Sequence, residues 1–167
     1  MIAMKIYFAG DHAGFEMKGE LMEFARSLGH ETEDLGPFEP KSGDDYPDFV
    51  IPLAKKVAEQ SERLNLEAGK RFNLDSEIRG IVVAGSGQGE IIAMNRVRGA
   101  RAALLCPGPQ MVPLIKASRD HNNSNIFAIG ARFCTLEQAK EAVKLWLETP
   151  FSNADRHVRR LQKIEAL

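Results

Sequence analysis

Cysteine is scarce in this chain: Cys106 and Cys134 are its only two, in 167 residues. They stand too far apart to form a metal-ligand spacing, and both read as small apolar fillers. So low a content suits a reducing compartment, and a cytoplasmic location is expected. Net charge is nearly absent too, with 22 Lys and Arg against 23 Asp and Glu. No global field therefore draws the protein to nucleic acid or to a membrane surface. No apolar run approaches the ~20 residues of a membrane span. The first ten residues read as a strand, lacking the charged start and small-residue cleavage site of a signal peptide. No internal repeat or low-complexity tract occurs. What remains is ordinary: 44% hydrophobic and 27% charged residues, enough chain for one domain (1–167) with a sizeable core.

The most informative stretch is residues 81–93, Ile-Val-Val-Ala-Gly-Ser-Gly-Gln-Gly-Glu-Ile-Ile-Ala. A β-branched run stops at a glycine-rich turn, and a helical pattern follows. Such an order presents unpaired backbone N–H groups and the positive end of a helix dipole to an anion. A dinucleotide fingerprint needs a different glycine spacing and an acid about 20 residues on, and a P-loop needs Gly-Lys-Ser/Thr. Neither is present. Glu90 is the unusual member: a carboxylate where an anion should sit is either a helix-capping acid or a working base.

In chain order, a strand at 4–9 leads into a helix carrying Met17, Leu21, Ala25 and Leu28 at helical spacing. A more polar strand covers about 30–35, and a Gly-, Pro- and Asp-rich loop fills 36–47. The next helix runs to about Gln60. Residues 61–77 read as a helix extension plus surface loop, an insertion expected to carry no functional content. After the central strand and its helix, to about Arg96, come a strand at 101–105 and a segment at 107–119 that three prolines break before a helical stretch. A fifth strand spans 125–129. Thr135 opens a long helix with a Thr-x-x-Gln capping box, and 154–167 form a terminal helix. Alternating strands and helices predict an α/β fold, with a parallel sheet covered on both faces.

Ligands sit at the carboxyl ends of strands in such sheets. Asp11-His12, the turn at 85–90 and His121-Asn122 are all read as following strands, so one sheet edge collects them. Each has a plainer reading. Asp11 is a good N-cap, and a histidine in a polar turn is commonly just solvated. Arg156 and Arg160, four apart, share a helix face. Two guanidinium groups there suit a phosphate, against the plainer reading of a solvated basic face. Arg132, past the fifth strand, is placed near the same edge. A carboxylate, backbone donors, an imidazole and arginines are the inventory for proton abstraction beside a carbonyl. A glutamate base with a neutral electrophile is the arrangement of triosephosphate isomerase.

Six motifs in order then resemble ribose-5-phosphate isomerase B and the galactose-6-phosphate isomerase subunits. They are Gly10-Asp11-His12-Ala13-Gly14, Asp45-Tyr46-Pro47, Gly85-Ser86-Gly87-Gln88-Gly89-Glu90, Arg119-Asp120-His121-Asn122-Asn123, Gly130-Ala131-Arg132 and Arg156-His157-Val158-Arg159-Arg160. The resemblance implies a Rossmann-like three-layer α/β/α sandwich with a five-stranded parallel sheet. It also implies a homodimer or homotetramer with active sites shared between subunits, the 154–167 helix packing on a partner. Family members interconvert aldose and ketose phosphates without metal or organic cofactor.

By position, Asp11 and His12 would contact the sugar and assist ring opening, and His121 would be the ring-opening acid. The backbone of Gly85, Ser86, Gly87, Gln88 and Gly89 would hold the enediolate oxygens, with Ser86 relaying a proton between them. Asn122 would bind the sugar, and Arg132, Arg156 and Arg160 the phosphate end. In one branch of the family a cysteine before the glycine turn is the base. Here that position is Ala84, and Glu90 matches the branch that uses a glutamate. Ribose 5-phosphate is the expected substrate, with allose 6-phosphate or galactose 6-phosphate as alternatives. A non-catalytic sugar-phosphate binding protein and a structural subunit of a heteromeric isomerase are the competing readings.

Overall fold

The computed structural model describes residues 3–67 and 77–167. Its elements are β1 (Lys5–Gly10), α1 (Phe15–Ser27), β2 (Glu31–Asp34), α2 (Pro47–Glu67), β3 (Ile78–Ala84) and α3 (Gln88–Met94). They continue with β4 (Ala102–Leu104), α4 (Met111–Asp120), β5 (Ile126–Gly130), α5 (Leu136–Glu148) and α6 (Asp155–Glu165). The five strands form one sheet in the order β2-β1-β3-β5-β4. Every pair in it is parallel.

Strand geometry sends successive side chains to opposite faces, and the central strands use both. Ile6, Phe8, Ile81, Val83, Phe127 and Ile129 point to one side, into a core closed by α1, α4 and α5. Tyr7, Ala9, Val82, Ile126 and Ala128 point to the other, against α2 and α3. The result is the expected three-layer sandwich. Thr135 accepts from the Gln138 N–H, and the Gln138 side chain accepts from the Thr135 N–H, so the anticipated capping box closes the start of α5.

The helix expected to end near Gln60 continues to Glu67, as the helix-extension reading of 61–77 has it. The loop expected after it falls on 68–76, outside the described residues. β3 begins at Ile78, three residues before the apolar run that advertises it, because Arg79 is buried inside the strand. Its guanidinium carbon lies 6.0 Å from the Trp146 ring centroid, so the charge is absorbed by an aromatic face.

One close approach fixes the site's frame. A methyl on Gly14 would sit 2.0 Å from the Val83 carbonyl oxygen. Only glycine lets the turn after β1 press against the end of β3.

Candidate active site

The turns after β1, β3 and β5 meet because those strands are neighbours in the sheet. Asp11 joins the first two. Its Oδ1 accepts from the Gly14 N–H at 2.9 Å and its Oδ2 from the Gly85 N–H at 3.0 Å. It is therefore both the helix cap of the plainer reading and a bridge to the glycine turn. Arg132 completes the group, since a methyl on Gly85 would come within 3.4 Å of its guanidinium carbon. The Arg132 N–H also donates to the Gly85 carbonyl.

The turn itself reaches α3 through Gly87, whose φ of 77° is in the left-handed region. Ser86 is exposed, and its Oγ accepts from the Gln88 N–H at 3.3 Å. Glu90, in the first turn of α3, is 4% exposed. Burial pushes its carboxyl above the ordinary value of 4.5. Its own backbone N–H pulls the other way, and the charges of Asp11 and Asp44 add to the rise. Burial wins over the helix end, which sequence alone does not decide. Glu90 is thus a carboxylate matched to taking up a proton and giving it back.

Two residues at this edge were not picked out as site residues by the sequence reading. His12 Nδ1 lies 2.6 Å from Asp44 Oδ1. A methyl on Gly89 would sit 2.5 Å from the Tyr46 hydroxyl oxygen, so Tyr46 covers the glycine turn. Both belong to the loop before α2, where an Asp reads as an ordinary turn residue.

His121 and Asn122 correct the expectation of a single edge. They follow α4 and precede β5, so they lie at the amino ends of the strands. β5 is five residues long, which sets the two edges about 16 Å apart. α6 runs along the same amino edge. The His121 and His157 rings meet at a tilt of 47° with centroids 4.5 Å apart, and Arg101, just before β4, pairs with Glu165 at 2.8 Å.

His157 is buried and its pKa is lowered, chiefly by burial and then by the Arg156 and His121 charges. Arg156 Nε donates to its Nε2 at 3.0 Å, so the proton of the neutral ring is on Nδ1, which faces Ser152 Oγ at 2.9 Å. The Ser152 hydroxyl donates onward to the Asp120 carbonyl. Arg156, Arg160, His121 and Asn122 are all exposed. Arg132 is separated from Arg156 and Arg160, contrary to the shared edge expected of them.

Gly85 needs a second correction. Its N–H is engaged by Asp11, so in this state the donors for an oxyanion come from the rest of the turn. Cys106 and Cys134 are free thiols, and Cys134 Sγ lies against the Gly130 carbonyl at 3.5 Å. Among the described residues, no group of three or more His, Cys, Asp or Glu side chains is placed to hold a metal ion. No helix there is long and apolar enough to cross a membrane.

The family model described as Ribose/Galactose Isomerase matches residues 6–164. The chain belongs to this family. The ribose-5-phosphate isomerase B of Mycobacterium tuberculosis is 37% identical over 161 residues, 96% of this chain and 88% of that one. A crystal structure of ribose 5-phosphate isomerase from Thermotoga maritima is 38% identical with a TM-score of 0.76, covering 98% of this chain and 99% of that one. The ribose-5-phosphate isomerase B of Mycoplasma genitalium, solved with ribulose-5-phosphate bound, has a TM-score of 0.84 at 30% identity. It covers 99% of this chain and 97% of that one. The fold of this ribose/galactose isomerase is therefore the Rossmann-like one, and the chain is an aldose–ketose isomerase by kinship.

Proposed function

We propose that this protein interconverts ribose 5-phosphate and ribulose 5-phosphate through a cis-enediolate, with Glu90 as the base. The observation that carries the proposal is Glu90 itself: buried on a glycine turn, its proton affinity raised by burial and by the nearby charges of Asp11 and Asp44. Mere phosphate binding needs no such carboxylate, which weighs against a non-catalytic binding protein.

The substrate docks with its phosphate among Arg132, Arg156 and Arg160. His121 protonates the ring oxygen as Asp11 and His12 engage the sugar, and the ring opens. Asn122 holds the open chain. Glu90 takes the C2 proton of the aldose. The charge that develops on oxygen is met by backbone N–H groups of Ser86, Gly87, Gln88 and Gly89. Ser86 moves a proton between O1 and O2, and Glu90 returns its proton to C1 to give the ketose.

These residues occupy opposite sheet edges in one chain, so we assign the complete site to two copies. One copy supplies Glu90 and its neighbours, and the other supplies His121, Asn122, Arg156 and Arg160. On this reading residues 1–167 are one isomerase domain, and 154–167 pack on the second copy of a homodimer, or of a homotetramer built from it. Ile164, 57% exposed on α6, suits that contact. A cytoplasmic setting suits two unpaired thiols.

The test is turnover of ribose 5-phosphate by wild type and Glu90→Gln without added metal. Turnover should fall by roughly 10²–10⁴-fold on loss of the base. Full activity in Glu90→Gln would place the base elsewhere. A wild type active only on allose 6-phosphate or galactose 6-phosphate would move the proposal to a six-carbon sugar.

A further inference from the structure

The loop before α2 carries a carboxylate that the reaction above does not use. The Asp44 side chain is 6% exposed, and one oxygen lies 2.6 Å from His12 Nδ1. Its other oxygen, Oδ2, is buried without a hydrogen-bond partner. Leaving a buried acceptor unpaired costs stability, and such costs persist where function requires the group. Nor does Asp44 cap the helix that follows: the backbone carbonyls of Asp45 and Tyr46 accept from the first N–H groups there. Tyr46 lies two residues on, over Gly89, so the same short segment covers the glycine turn and grips His12.

We propose that Asp44 is a positioning residue of the isomerase site, holding His12 with a proton on Nδ1 so that Nε2 faces the sugar. An acceptor oxygen at hydrogen-bonding distance requires that proton, whether the ring is neutral or charged. The ring is then fixed in one tautomer and one orientation. The His12 side chain is 32% exposed, so the ring is not sealed off by Asp44. This role rests on the isomerase reading of the site.

Asp44 also faces Glu90 as a like charge, together with Asp11 from the turn after β1. The Tyr46 hydroxyl and Arg132 are the other polar groups over the glycine turn. Removing the Asp44 charge therefore eases ionisation of Glu90.

The experiment measures ribose 5-phosphate turnover for wild type, Asp44→Ala, Asp44→Asn, His12→Ala and the Asp44→Ala/His12→Ala pair. Asp44→Ala should lower kcat by about 10-fold to 100-fold, the range for a misplaced site group, with KM moved less. Asp44→Asn should recover part of the loss, because an amide oxygen can still accept from Nδ1–H. In the His12→Ala background, Asp44→Ala should change kcat less than about twofold, since it acts through His12. The acid limb of kcat/KM should move to lower pH in Asp44→Asn. Nitrogen NMR of the His12 ring in folded Asp44→Ala supplies a readout independent of turnover, and Nδ1 should lose its fixed proton. Unchanged kcat in Asp44→Ala, an equal loss in both backgrounds, or an unchanged His12 tautomer each overturns the positioning role while the isomerase reading stands. A wild type that does not turn over ribose 5-phosphate overturns both.

Discussion

Glu90 sets two demands against each other on one side chain. A base must ionise, and burial resists ionisation. The folded chain holds the Glu90 proton to a higher pH than the unfolded chain does. The sign of the stability effect follows from linkage. Above the folded pKa, a buried charge weighs against folding. As pH falls, the folded state takes up the proton first and the penalty shrinks. Well below the ordinary value of 4.5 both states are protonated and nothing remains of it. Glu90→Gln should therefore melt at a higher temperature than wild type at pH 8, with the difference gone near pH 4, each read by thermal denaturation. Equal melting at both pH values would mean that burial costs Glu90 nothing, and its role as a tuned base would lose its basis. The gain in stability should accompany the loss of turnover in the same variant, the usual trade at a site built for chemistry.

At the level of elements, the turn that carries His121 and Asn122 is held from within by Arg119. This side chain is fully buried at the end of α4, donating to Asn123 Oδ1 at 2.9 Å, the Ser124 carbonyl at 2.6 Å and the Thr149 carbonyl at 3.2 Å. Asn123 has a φ of 44°, a conformation that needs such support. Arg119→Met keeps the apolar stem and removes every donor. It should cost at least about 2 kcal/mol in urea unfolding, since buried acceptors are left unpaired. It should also lower turnover, because His121 loses its fixed place. A stable variant with full activity would show that the turn holds itself.

The same elements show what a sequence reveals. β1, β3 and β5 were legible because alternate residues serve two apolar faces, and Thr135 with Gln138 announced α5. The start of β3 was not, since Arg79 looks like a surface residue until Trp146 is packed over it. Asp11, Arg132 and the glycine turn that leads to Glu90 were legible together because each comes just after a strand that ends at the same edge. Asp44 was not, because its meaning depends on His12, 32 residues away. His121 and Asn122 were picked out as polar residues but assigned to the wrong edge. Chain order places them before β5, and a polar turn looks alike at either end of a strand.

At the scale of the whole molecule, that edge decides the architecture of catalysis. The carboxyl edge that carries Glu90 and the amino edge that carries His121 stand about 16 Å apart, the length of β5, and the sheet is too well packed to fold one edge onto the other. A proton cannot be removed from C2 and delivered to the ring oxygen of one sugar across that gap. The proposed two-copy site answers this, because a two-fold axis would bring each edge of one chain to the opposite edge of its partner. The arrangement has a consequence that a single-chain site lacks. Glu90→Gln and His121→Ala should each be nearly inactive alone. Mixed and reassembled, they form hybrid dimers in which one site carries both defects and the other carries neither. Random pairing makes half of the dimers hybrid, and half of the hybrid sites intact, so activity should recover to about a quarter of wild type. The measurement is turnover of the co-refolded mixture against each variant refolded by itself. No recovery, in a mixture shown by mass to contain hybrid dimers, would mean that each chain completes its own site and that the amino-edge residues belong to another function.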